Sequence, residues 1–88
     1  MAESLDVSVI WHYFTGAANF TVLASAITLE NRLGKFDILP GHANFISTIY
    51  GSIVVSTVNK GTEVYFFQRG VVEVSANSVK LFLEGKID

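Results

Sequence analysis

Apolar and polar residues alternate with a period of two along most of the chain, the spacing of a strand with one buried face and not of a helix. Leu5, Val7, Val9 and Trp11 share one face and Asp6 and Ser8 the other, with Ile10 the exception. This predicts a half-buried first strand. After a break at residues 12–16, Ala18, Phe20, Val22 and Ala24 alternate with Asn19 and Thr21, and their β-branched and aromatic content suits a pleated surface. Residues 27–32 are ambiguous, being too short for a helix assignment. Gly34 and Pro40-Gly41 bracket Lys35, Phe36, Asp37, Ile38 and Leu39, which predicts a loop-rich region.

Residues 45–48 read as a brief strand and 52–58 as a clear β-branched one, ended by Asn59-Lys60-Gly61-Thr62, a hairpin connection. Residues 63–67 should return antiparallel to it. Gly70 is expected to separate that strand from 71–75, and Ala76-Asn77 to turn the chain into 78–83, where Val79, Leu81 and Leu83 share a face. No convincing amphipathic helix of about ten residues or more interrupts the series. The predicted class is all-β, an antiparallel β-sandwich of about eight to ten short strands, in a single domain over residues 1–88.

Composition narrows what such a domain can do. Hydrophobic residues make up 50% of the chain and charged residues 16%, the latter below the usual share of about 25%, which argues against disorder. A domain this short buries only about 60–65% of its unfolded surface, and a partner would supply further cover. The net charge is −2, with six Lys and Arg scattered from Arg32 to Lys86; phosphate binding needs them clustered, which argues against nucleic acid. There is no cysteine, hence no disulfide, thiolate metal site or cysteine nucleophile. Glu3 stands where a signal peptide carries positive charge, and no apolar run reaches the ~18–20 residues that cross a bilayer. The expectation is a soluble, unexported chain without membrane insertion.

The motifs for chemistry are missing. His12 and His42 have no ligand at metal spacing beside them, and neither a Gly-x-Ser-x-Gly turn nor a Gly-x-x-x-x-Gly-Lys loop occurs. Asp6, Glu30, Asp37, Glu63, Glu73, Glu84 and Asp88 form no acid–base pattern and read as solvated surface. The sequon Asn19-Phe20-Thr21 falls within a predicted strand. Tyr65-Phe66-Phe67 puts rings on both faces of one strand, so at least one ring lies outside the core or under another element. No catalytic, cofactor-binding or metal residue is assigned, and the chain is read as a non-enzyme.

Three blocks carry a resemblance to a known family. Phe36-Asp37-Ile38-Leu39-Pro40-Gly41-His42-Ala43 resembles the Leu-Gly-Ile-Leu-Pro-Gly-His-Ala-Pro segment of ATP synthase epsilon subunits, the delta subunit of mitochondria. Upstream, the run from Phe14-Thr15-Gly16 to Val22-Leu23 is similar to the family's Phe-Ser-Gly-Glu-Ala-Asp-x-Val-x-Leu. Downstream, Gly70-Val71-Val72-Glu73-Val74 with Asn77, Val79 and Leu81 resembles its Gly-Gly-x-x-Glu-Val-x-x-Asn-x-Val-x-x-Leu ending. The blocks follow the family's order. Departures are Lys35 where Glu is frequent, Asp37 for Gly, Asn44 for Pro, Arg69 for one Gly, and a shorter His12-Tyr13 connection without the usual Thr-Pro.

The resemblance implies a flattened antiparallel β-sandwich in the central stalk of a rotary ATP synthase. It would dock on the gamma subunit and on polar loops of the c-ring, at the inner face of the membrane, and couple proton flow to ATP synthesis without a cofactor. Leu39, Pro40, Gly41, His42 and Ala43 are then candidates for gamma, and Gly34, Lys35, Phe36 and Asp37 for a ring-facing loop. A purely structural role competes: Pro40-Gly41 suits a tight turn, His42 can bond a loop carbonyl, and Glu73 can tie down a turn. Family members usually continue into a C-terminal helical hairpin that inhibits ATP hydrolysis and in some bacteria binds ATP; neither role is carried over to residues ending at Ile87-Asp88. The alternative is a free-standing epsilon-like sandwich used as an adaptor or self-associating module, which predicts a homo-oligomer. A small hydrolase or ligand carrier would need His12 and His42 to converge on a pocket.

Overall fold

The computed structural model describes residues 3–86; Met1, Ala2, Ile87 and Asp88, including the expectations placed on the two ends, lie outside them. Six strands follow one another: β1 (Leu5–Tyr13), β2 (Gly16–Asn31), β3 (Gly34–Ile38), β4 (Phe45–Thr57), β5 (Thr62–Ser75) and β6 (Ser78–Glu84). The all-β class holds, but the strands are fewer and longer than the expected eight to ten. The ambiguous stretch 27–32 continues β2, the loop-rich stretch is β3, and Gly51 and Gly70 lie inside β4 and β5. Glycine is a reliable breaker only when nothing else holds the backbone, and here β5 is paired against Gly51, and β4 and β6 against Gly70.

Five strands close into a ring, β1-β6-β5-β4-β2 and back to β1, with β3 added outside β2. All pairs are antiparallel except β1 with β6, which run parallel. That departs from the antiparallel expectation because the first and last strands meet to close the ring. The ring is flattened, 41 × 28 × 18 Å, a thickness that fits two sheet layers about 10 Å apart. One layer holds the first half of β2, then β1, β6, the second half of β5 and the first half of β4. The other holds β3 and the remaining halves of β2, β4 and β5.

Two bulges let long strands pass between layers. A one-residue insertion exchanges a strand's faces, since side chains alternate. In β2 the register jumps across Ser25, so the buried series moves from Ala24 to Ile27 and Leu29; the Ser25 hydroxyl donates to Ser56 O at 3.2 Å. In β5, Gln68 is the extra residue between the pairs Gly51–Phe67 and Tyr50–Arg69, and burial moves from Phe67 to Val72 and Val74. The core is therefore apolar from both layers: Leu5, Val7, Val9 and Trp11 of β1 and Val79, Leu81 and Leu83 of β6 face Ile27, Leu29, Ile53, Val55 and Phe67. Trp11 closes one end edge-on to Tyr13 and Tyr65, with its indole N–H donating to Gly85 O at 2.6 Å. Burial, and the bond its hydroxyl donates to Glu63 at 2.9 Å, raise the Tyr65 phenol above its ordinary value.

Candidate functional site

The Pro-Gly-His residues sit in the turn between β3 and β4. Pro supplies the fixed φ of the second turn position and Gly the positive φ of the third, +87° at Gly41, and the His42 N–H donates to Leu39 O at 3.1 Å, closing a type II turn. Asn77, in the β5–β6 turn, accepts the Gly41 N–H at 2.8 Å, while Asn44 accepts the Ala76 N–H at 3.1 Å. Two asparagines thus staple the two turns reciprocally. Ala76 holds the left-handed backbone, φ 54°, that this turn requires.

His42 accordingly does structural work. It is half-buried, edge-on to Phe45 at 5.6 Å, and its Nδ1 lies 2.7 Å from Ala43 O. Phe36 also packs edge-on to Phe45, at 5.5 Å. Leu39 points outward and is 53% exposed; Gly41 and Ala43 are exposed and Pro40 half-buried.

Lys35, Phe36 and Asp37 lie on β3, not in a loop. The side chains of Lys35 and Asp37 are exposed, opposite Glu30 and Thr28, and the Thr28 hydroxyl donates to Asp37 at 2.7 Å. The projecting feature beside them is the two-residue tip Arg32-Leu33 between β2 and β3, with Leu33 96% exposed. Asn31 shapes that tip by accepting the Leu33 N–H at 2.9 Å and anchors it to β4 through Ser47 at 3.3 Å. The two turns border one shallow cavity of about 250 Å³ that includes Leu33, Lys35, Phe36, Asp37, His42 and Phe45. The sequence reading passed over Leu33 and Asn31, and it named Asn77 only as a turn residue and Asn44 only as a departure from the family's Pro, not as staples. An isolated leucine before a glycine in a predicted turn was the available signal for Leu33, and Asn44 and Asn77 beside turn residues for the staples.

The histidines do not converge. His12 is exposed and paired in register with Glu84 at one end of β6, whereas His42 adjoins Asn77 at the other, roughly 20 Å away at 3.3 Å per residue. His12 borders a different groove, about 620 Å³, floored by Ile10, Val71 and Phe82 on the outer face of the β1-bearing layer. Glu73 projects from β5 opposite Lys80 and ties down no turn. The Arg69–Glu84 ion pair at 2.6 Å is exposed and contributes little.

Residues 17–86 match the family model described as ATP synthase, Delta/Epsilon chain, beta-sandwich domain. The chain belongs to this family. The ATP synthase epsilon chain of Bordetella parapertussis is 35% identical over 75 residues, covering 84% of this chain and 49% of the relative. That of Aliarcobacter butzleri is 31% identical over 61 residues, 69% of this chain and 49% of the relative. The chain spans about half the length of the curated relatives it matches. Its fold superposes on a chain of the Euglena gracilis mitochondrial ATP synthase with TM-score 0.72 at 16% identity, covering 89% of this chain and 50% of that one. For the Tetrahymena thermophila mitochondrial ATP synthase central stalk and c-ring the values are 0.66, 18%, 93% and 66%.

Within the family fold, the staple has a measurable role. Replacing Asn77 with Ala leaves the Gly41 N–H without its acceptor at an exposed turn, which is expected to cost about 1 kcal/mol. Urea unfolding should show that loss, and hydrogen exchange should show Gly41 losing protection while amides of β1 and β6 keep theirs.

Proposed function

We propose that the chain is a non-catalytic central-stalk subunit of a rotary F-type ATP synthase, docking on the gamma subunit and on the polar loops of the c-ring to couple proton flow to ATP synthesis. The observation that carries this reading is the pair of apolar tips, Leu33 and Leu39, held outward on turns that Asn31 and Asn77 fix to the sheet. A leucine in water gains nothing from its own fold, and a preorganised turn loses little entropy on binding. Leu39, Pro40, Gly41 and Ala43 form the gamma-facing edge, with His42 setting the turn from behind. Leu33, Lys35 and Asp37 form the ring-facing edge, where mixed charge suits polar loops. Family membership supports the assembly, and the site would sit peripherally on the inner membrane face, needing no cofactor. No helix among the described residues is long and apolar enough to cross a membrane.

The test is saturable binding of the purified chain to the gamma subunit of the same source. Leu39→Ala with His42→Ala should weaken it by about tenfold or more, the loss of an apolar anchor and its support. Phe66→Ala, on β5 at the far edge of the layer from β3, should leave it unchanged. A folded chain that ignores gamma, or binding indifferent to Leu39, overturns the assignment.

A further inference from the structure

The edges of this sheet are unequally protected. An edge strand offers unpaired N–H and C=O groups, and soluble proteins usually guard it with charge, proline or a covering loop. β3 carries Lys35 and Asp37, and the exposed half of β5 carries Glu63. The first half of β4 is tied to the β2–β3 tip through Ser47 and Asn31. The first half of β2 has none of these. Residues 16–23 pair only with β1 among the described residues, and the sequence holds no Asp, Glu, Lys, Arg or Pro between Asp6 and Glu30.

Three hydrogen bonds fix which groups are free. Leu23 O accepts the Val58 N–H at 3.0 Å, on the side away from β1, while Asp6 N–H and His12 O bond toward β6 and Gly85, away from β2. Since the N–H and C=O of one strand residue point the same way and alternate along it, Ala17, Asn19 and Thr21 direct theirs outward, unpaired among the described residues. Their side chains are exposed on the outer face, where the row Asn19, Ile10, Phe82, Val71, Thr48 crosses the layer.

We infer that this edge pairs antiparallel with the same edge of a second copy of the chain, about a two-fold axis at Asn19. The occupant is a copy because the edge is self-complementary. Around Asn19 the register sets Ala17 against Thr21 of the second copy and the two Asn19 side chains against each other, small neutral residues that neither clash nor repel. On the inner side Ala18 meets Phe20 of the second copy, both half-buried, so the small residue faces the large one. An isologous contact of this kind closes at two copies. It goes beyond the stalk reading and describes the chain outside that assembly.

The experiment is sedimentation of the whole chain over a wide concentration range, with two double variants at these exposed positions. Ala17→Lys with Thr21→Lys sets like charges opposite each other twice and should weaken the dimer by about tenfold or more. Ala17→Lys with Thr21→Glu sets opposite charges there and should restore it. Circular dichroism and thermal melting check that both remain folded. A wild-type chain that stays monomeric, a dimer indifferent to the first variant, or one lost equally in both overturns the pairing.

Discussion

Phe67→Ala is expected to lower the stability of the chain by about 3–5 kcal/mol, the range for truncating a fully buried aromatic. The ring is 0% exposed and is the largest fully buried side chain among the described residues, at the point where β5 leaves one layer for the other. Its neighbours cannot close over the gap, because Ile49 and Ile53 belong to β4, whose register against β5 is pinned on both sides of Gly51. A protein of this size has roughly 4–13 kcal/mol in total, so the variant loses about a quarter of that margin or more. Phe66→Ala is the internal control: that ring is 53% exposed, and its loss should change stability by about 0.5 kcal/mol or less. Urea midpoints of the two variants measure the contrast. Similar losses would mean that the two rings had been assigned to the wrong faces.

The same aromatic run shows what the sequence could reveal. Three consecutive rings on a strand must fall on two faces, and the structure places Phe66 outside with Tyr65 and Phe67 within. Likewise Leu5, Val7, Val9 and Trp11 are all buried, because a strand's period depends on nothing beyond itself. Strand ends were less legible. Residues 27–32 were too short to assign by themselves, and the insertion of Ser25 shifts their phase, so the period of residues 18–24 could not be extended into them. The parallel contact of β1 with β6 left no local trace, being a property of ring closure. At the candidate site the turn itself was legible, since Pro-Gly has one economical geometry. Its anchors were not, because Asn77 reaches Gly41 across 36 residues of sequence and a polar side chain beside a turn reads the same whether it faces water or another turn. The exposed Leu33 became a docking candidate only once its hairpin was seen to stand beside that turn.

Gly70 is where sequence and structure gave opposite meanings to one residue, and replacing it by Ala is expected to cost about 3 kcal/mol. The residue is not a breaker. It occupies the interior of β5 between Ile49 and Leu83, with an ordinary backbone conformation, so left-handed freedom is not what it supplies. What it supplies is room: a Cβ there would collide with the Phe82 carbonyl oxygen and lie 2.9 Å from Leu83 Cδ2 and 3.3 Å from Leu83 Cα. Leu83 Cδ2 can rotate aside; the Phe82 carbonyl cannot, because it belongs to β6, which is paired on both edges by β1 and β5. Relief would have to come from β5 moving off β6 next to the Gln68 bulge, which would disturb the phase change that puts Phe67 and Val72 both inside. Gly51→Ala makes the informative comparison. There φ is +91° but the nearest atom is the flexible Glu30 carboxylate at 3.8 Å, so its cost is backbone strain of about 1–2 kcal/mol without a clash. Thermal denaturation should therefore rank Gly70→Ala below Gly51→Ala, and hydrogen exchange should show amides of the β5–β6 pair opening in the first variant only. The reverse order would mean that β6 yields, and that the ring is held closed by β1 and β2 without needing close contact between β5 and β6.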